Sequence, residues 1–207
     1  MNQQYFTDIK SSWQIWKERS FRIRLVISFI AVAIILTILP FFFQFIEKRH
    51  GVSFNDFILI NIKPSDVSVP VFFIIWTCAI LMVIRLFKVA DIVPGFLASY
   101  ALMTLLRFAT IYWLPLEPPI GLIALKDPLS NSFYGDVFIT KDLFFSGHTS
   151  TLFLIFLFQD KLWKKVYCLF GVILIAVLLL IQHVHYTIDV IFAFPFAYIS
   201  YMIGKKY

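Results

Sequence analysis

Charge is scarce in this chain. Asp, Glu, Lys and Arg together make up 14% of its 207 residues, against 60% hydrophobic and 19% aromatic, and the mean hydropathy is +0.86. A soluble domain of this length has too little core to hide so much apolar surface, so that class is excluded and lipid is the solvent for most of the chain. Cysteine is scarcer still, at two residues. Cys78 and Cys168 stand in apolar runs, far from any Cys-x-x-Cys or Cys/His ligand spacing. That argues against a disulfide framework and a thiolate metal or redox centre, and leaves two small buried hydrophobes. Internal repeats, low-complexity linkers and a second folded domain are also missing, so a single bundle is the simplest organisation.

Six charge-free runs remain, at 25–46, 67–84, 92–106, 143–158, 166–182 and 190–203. With their flanks each approaches the roughly 20 residues that cross a hydrocarbon core. The expectation is an all-α polytopic membrane protein with six transmembrane helices over residues 25–207, preceded by an amphipathic segment at 1–24. That segment carries Trp13, Trp16, Lys17, Arg19, Arg22 and Arg24, a mixture suited either to an interfacial helix or to an ordinary basic flank. The first run is too long for a signal-peptide core, and no small-x-small cleavage pattern follows it before Glu47-Lys48-Arg49, so it is expected to stay as an anchor. With the amino terminus inside, twelve of the eighteen Lys and Arg residues fall on the cytoplasmic side, which places both termini there. The net charge of +6 then suits anionic lipid headgroups and calls for no nucleic-acid partner.

Two polar islands interrupt the apolar sequence: Ser146-Gly147-His148-Thr149 and His185-Tyr186-Thr187-Ile188-Asp189. In this topology both open on the non-cytoplasmic face. His185 and Asp189 are four apart, so on the first turn of a helix the carboxylate can orient the imidazole and stabilise its charge. His148 follows Gly147 at the start of another helix, where unpaired N–H groups and the positive end of the dipole favour a phosphate. One imidazole attacking phosphorus while the other serves as acid and base is covalent phosphoryl-transfer chemistry. Ionisable groups at membrane depth are costly unless paired and used, and two such clusters on one face point to function.

These islands, with Asp142-Leu143-Phe144-Phe145 before the first and Val190 after the second, resemble the third and fourth signature motifs of the sphingomyelin synthase family, a branch of the type 2 phosphatidic-acid phosphatase superfamily. Lys63-Pro64-Ser65-Asp66 and the stretch from Arg107 to Pro115 are similar, more loosely, to its first and second motifs. No segment resembles the SAM domain of some animal relatives. The resemblance implies that His185 is the nucleophile, Asp189 its partner and His148 the acid/base. It also implies that Asp142, six before His148, and Glu117 join them, the alternatives being a helix-cap carboxylate and a surface loop acid. Ser146, Gly147, Thr149, Tyr186, Arg107 and Lys141 are candidate substrate-binding residues. Arg107 and Lys141 suit the outer interface equally well, and His183 reads as interfacial.

The phosphatase branch carries K-x6-R-P, P-S-G-H and S-R-x5-H-x3-D. Here Leu178-Leu179 stand at the Ser-Arg positions and Phe145 at the proline. A monoester dianion has about one more charge to neutralise than a diester, so fewer arginines favour a diester substrate. The implied activity moves a phospho-head-group, phosphocholine or phosphoethanolamine, from a glycerophospholipid donor to ceramide or another lipid alcohol acceptor and releases diacylglycerol. The alternative is a lipid hydrolase, either phospholipase C-like or a lipid phosphate phosphatase. No cofactor and no metal are implied, and a homo-oligomer is left open.

Overall fold

The computed structural model describes residues 12–125 and 139–207. The first half of the expected interfacial segment, and Lys126 of an expected outer loop, lie outside the described residues. The fold is all-α. A short helix α1 (Ser12–Lys17) leads into α2 (Arg19–Glu47), followed by α3 (Ser68–Lys88), α4 (Val93–Trp113), α5 (Gly147–Phe158), α6 (Leu162–Ile181) and α7 (Thr187–Gly204). Helices α2, α3, α4, α6 and α7 are long and apolar enough to cross a membrane. Large apolar side chains such as Phe29, Phe73, Phe170 and Ile191 are exposed around the bundle, a surface that lipid accommodates and water does not.

Two boundaries differ from the sequence expectation, each for a local reason. Helix α2 begins at Arg19, so the 24/25 division falls inside one continuous helix; nothing between Arg19 and Leu25 breaks helical geometry. Helix α5 has only 12 residues. At about 1.5 Å per residue it is near 18 Å long, well short of a bilayer. Residues 143–146 are apolar enough to extend it, yet their side chains serve another purpose: Phe145 stacks on Phe196 with centroids 4.5 Å apart, and Phe144 meets Phe192 at 5.2 Å. The segment is thereby laid along α7, and the helix starts only at Gly147, where the Ser146 hydroxyl accepts the N–H of Thr149.

Helix α2 packs on α4, α4 on α7, α5 on both α6 and α7, and α3 on α5 and α6. Gly204 permits the tightest of these approaches, since a Cβ there would fall under 3.0 Å from the Ser99 backbone. The main core runs through Val71, Cys78, Leu154, Val172, Ile175 and Ala193. Cys78 and Cys168 are free and buried, on α3 and α6. At one end of the bundle, segments 48–67, 114–125 and 182–186 interlock. Val52 N–H donates to Pro115 O, Ser65 N–H to Ile181 O, and Ile123 N–H to Gln182 O. The buried Gln182 side chain adds bonds to Val67 N–H, the Ser68 hydroxyl and Ala124 O.

Candidate active site

The site lies at that interlocked end, between the first turns of α5 and α7. Ser146 N–H donates to Asp189 O at 3.0 Å, so the cap of α5 is bonded directly to α7. His185 sits just before α7, 1% exposed, and its Nδ1 lies 3.4 Å from Oδ2 of Asp189, which is 0% exposed. The same Oδ2 accepts the Tyr186 N–H at 2.9 Å, half of a capping box that holds the carboxylate under the imidazole. With Nδ1 turned to Asp189, Nε2 is the nitrogen left to face a substrate. Asp189 Oδ1 and the Thr149 hydroxyl are buried with no hydrogen-bond partner among the described residues.

A cavity of about 290 Å³ gathers Arg107, Asp142, Gly147, His148 and His185. Its remaining wall is mainly apolar, from Leu36, Leu39 and Phe43 on α2, Phe72 and Ile75 on α3, and Met103 on α4. Arg107 is the cation of this cavity. Its Nε donates to Phe145 O at 3.0 Å and its Nη2 to Asp142 Oδ1, and the guanidinium lies against Gly147 so closely that a Cβ there would be under 3.0 Å from three of its atoms. The first N–H groups of α5 have no carbonyl within the helix to accept them, though the Ser146 hydroxyl takes that of Thr149, so helix end and guanidinium bring positive potential to one corner of the cavity. Thr110, one turn on from Arg107, donates to Phe144 O at 3.0 Å and steadies the same approach.

Ser146 and Thr149, both 0% exposed, do not line the cavity, and three further candidate residues sit away from it. Glu117 Oε1 accepts the Gly51 N–H at 2.7 Å and pairs with Lys141 Nζ at 3.0 Å, while Lys141 also donates to Arg49 O. This is a clamp between loops, and neither residue lines the cavity. The Gly51 N–H and then the Lys141 ammonium hold the Glu117 carboxyl below its usual range. Tyr186 points to the opposite side of its turn. Its hydroxyl donates to Glu117 O at 2.9 Å and it lines a second cavity of about 360 Å³ with Phe54 and Ile60. Burial first, and then the negative charge of neighbouring carboxylates, push its phenol pKa up.

Several residues that hold this end together carried no signal in the sequence. Glu47, at the end of α2, accepts Thr140 N–H and hydroxyl and Lys141 N–H, and so fixes the segment that leads to Asp142. His183 adopts a left-handed backbone at φ 55°, which aims its ring back at the loops, Nδ1 2.7 Å from Ile120 O and Nε2 2.9 Å from Ile62 O. Asp56 takes four hydrogen bonds, two of them from Thr187. Among the described residues no three His, Cys, Asp or Glu side chains converge to hold a metal ion.

Residues 141–206 match the family model described as PAP2 superfamily C-terminal. The matched segment holds Asp142, His148, His185 and Asp189, and it supports the type 2 phosphatidic-acid phosphatase superfamily with lipid phosphatase or phosphotransferase chemistry. No curated protein and no solved structure matches the chain.

Proposed function

We propose that this protein is a membrane lipid phosphotransferase of sphingomyelin synthase type, which passes a phospho-head-group from a glycerophospholipid to a lipid alcohol through a phosphohistidine on His185. The observation that carries this reading is the convergence of His148, Asp189-backed His185 and Arg107 on one apolar-walled cavity. The cavity lies between α2 and α3, helices that pack on different neighbours, an arrangement suited to acyl chains entering from the bilayer.

In this mechanism His185 Nε2 attacks phosphorus as the bond to the glycerol oxygen breaks, and His148 gives that oxygen its proton, releasing diacylglycerol. Asp189 stabilises the imidazolium that forms as His185 becomes covalently bound. Arg107 and the first N–H groups of α5 face the phosphoryl oxygens, whose charge grows in the transition state. An acceptor hydroxyl then loses its proton to His148 and attacks phosphorus, and the P–N bond breaks. The guanidinium is already paired with Asp142, so the corner offers less than one full positive charge, which favours a phosphodiester over a phosphomonoester dianion.

The deciding experiment incubates purified protein in ceramide-containing vesicles with phosphatidylcholine or phosphatidylethanolamine and identifies products by mass spectrometry. Diacylglycerol together with a head-group-bearing ceramide supports transfer. Diacylglycerol and a water-soluble phosphoryl head group with no head-group-bearing ceramide assign phospholipase C-like hydrolysis, and inorganic phosphate from phosphatidic acid assigns a phosphatase. The excess of cations at the opposite end of the bundle supports, by the positive-inside rule, a site that opens on the non-cytoplasmic face. Cysteine at His50 should therefore react with an impermeant thiol reagent in intact cells and cysteine at Lys161 should not; the reverse pattern inverts the orientation.

A further inference from the structure

A carboxylate outside the cavity grips the turn that carries His185. Asp56 lies in the 48–67 segment, is 6% exposed, and binds across 131 positions to the start of α7: Oδ2 accepts the Thr187 N–H at 2.6 Å and Oδ1 the Thr187 hydroxyl at 3.0 Å. Its own loop fixes the carboxylate in turn, since Ile58 N–H and Leu59 N–H donate to Oδ1 at 3.0 and 3.2 Å. Thr187 is the first residue of α7, two after His185 and two before Asp189. Its N–H is one of those a helix cannot satisfy from within. The two consecutive N–H groups of this turn are thus each taken by a carboxylate, Tyr186 by Asp189 and Thr187 by Asp56.

The contact this turn supports has little slack. At 3.4 Å the His185 to Asp189 bond is near the outer limit for an N–H···O interaction, and among the described residues Asp189 Oδ1 has no hydrogen-bond partner, so the carboxylate is held through Oδ2 alone. A displacement of the 186–189 backbone that lengthens the bond takes it out of hydrogen-bond range. We infer that Asp56 is a positioning residue for the nucleophile: by fixing Thr187 it holds the 185–189 turn in the register that keeps Asp189 on His185 Nδ1. It does not line the cavity that holds His148 and His185; it lines the second cavity, on the Tyr186 side of the turn. Burial works against its charge, but the Thr187 and Leu59 N–H groups outweigh it and hold the carboxyl below its usual range, so the anion is the form that grips the turn.

This inference rests on His185 being the nucleophile, so its test has one arm that needs no turnover. Protein labelled with 15N-histidine gives four ring-nitrogen pairs, and those of His185 are assigned by their loss in His185→Gln. In Asp56→Asn, held below its measured melting temperature, the His185 resonances should move and their pH midpoint change. The second arm is kinetic: Asp56→Asn should lower kcat at least about tenfold with KM within about twofold, because orientation is lost while the binding corner stays. Asp56→Glu should recover part of that loss, and Thr187→Val, which removes only the hydroxyl bond, should cost less than Asp56→Asn. Unchanged His185 resonances in folded Asp56→Asn overturn the inference, as does a kcat per folded molecule equal to wild type. If wild-type protein turns over no lipid substrate, the proposed function fails while the spectral arm still decides for or against Asp56.

Discussion

The guanidinium of Arg107 rests against the α-carbon of Gly147, and that contact explains why the residue before His148 is glycine. An alanine methyl would overlap three guanidinium atoms, and the side chain that yields is the flexible arginine. Gly147→Ala should therefore fold but displace the cation from its corner of the cavity, lowering kcat/KM at least about tenfold, or ~1.4 kcal/mol of barrier. In a double-mutant cycle, Arg107→Lys should add much less to Gly147→Ala than it costs alone. Full activity in folded Gly147→Ala would show that the contact has no part in turnover.

The two histidines are assigned different steps, and a substrate with an activated leaving group separates them. A p-nitrophenyl phosphodiester needs no proton on departure, so His148→Ala should still release a stoichiometric burst of p-nitrophenol, form an acid-labile phosphohistidine, and then stall because the acceptor is not deprotonated. His185→Ala should give no burst. Asp189→Asn should slow the burst by about 10⁴-fold, in line with other His–Asp pairs. A burst in His185→Ala would assign the nucleophile elsewhere.

How much of this was readable beforehand depended on sequence distance. The apolar runs and the two islands are local patterns, so the helical class and the His148, His185 and Asp189 cluster were legible from period and spacing. The start of α5 was not, because Phe144 and Phe145 are as apolar as helix residues and only their stacking on Phe192 and Phe196 shows where the helix begins. Asp56 and Glu47 were silent for another reason: their partners stand 131 and 93 positions away, beyond any local pattern. Glu117 could be placed at the right end of the bundle by its position after α4, but not on a side of that end. Gly51 N–H and Lys141 turn it away from the cavity.

Asp56 and Glu117 both carry depressed carboxyl pKa values, and the sign of their effect on stability follows. Each stabilises the fold while ionised above its unfolded pKa, near the ordinary 3.8 and 4.5, and that contribution is lost as pH falls through the lower folded value. The melting temperature of purified protein should thus decline from about pH 4.5 downward. In Asp56→Asn/Glu117→Gln the curve should start lower at pH 6 and fall less on acidification. Parallel curves for wild type and the double variant would mean that other carboxylates dominate acid unfolding.

Asp142 offers a direct way to alter substrate charge preference. It pairs with Arg107 inside the cavity, so the guanidinium meets a substrate already partly neutralised. Replacing it with asparagine keeps a hydrogen-bond acceptor of the same size and removes one negative charge, which leaves the corner better matched to a dianion. In Asp142→Asn the ratio of kcat/KM for phosphatidic acid to that for phosphatidylcholine should rise about tenfold or more, each tenfold being ~1.4 kcal/mol of relative transition-state stabilisation. The absolute rate on the diester should fall, since Arg107 loses a charged anchor. Head-group competition in mixed vesicles, followed by mass spectrometry, measures the ratio directly. An equal loss on both lipids would show that Asp142 holds Arg107 in place without setting the charge that the site prefers.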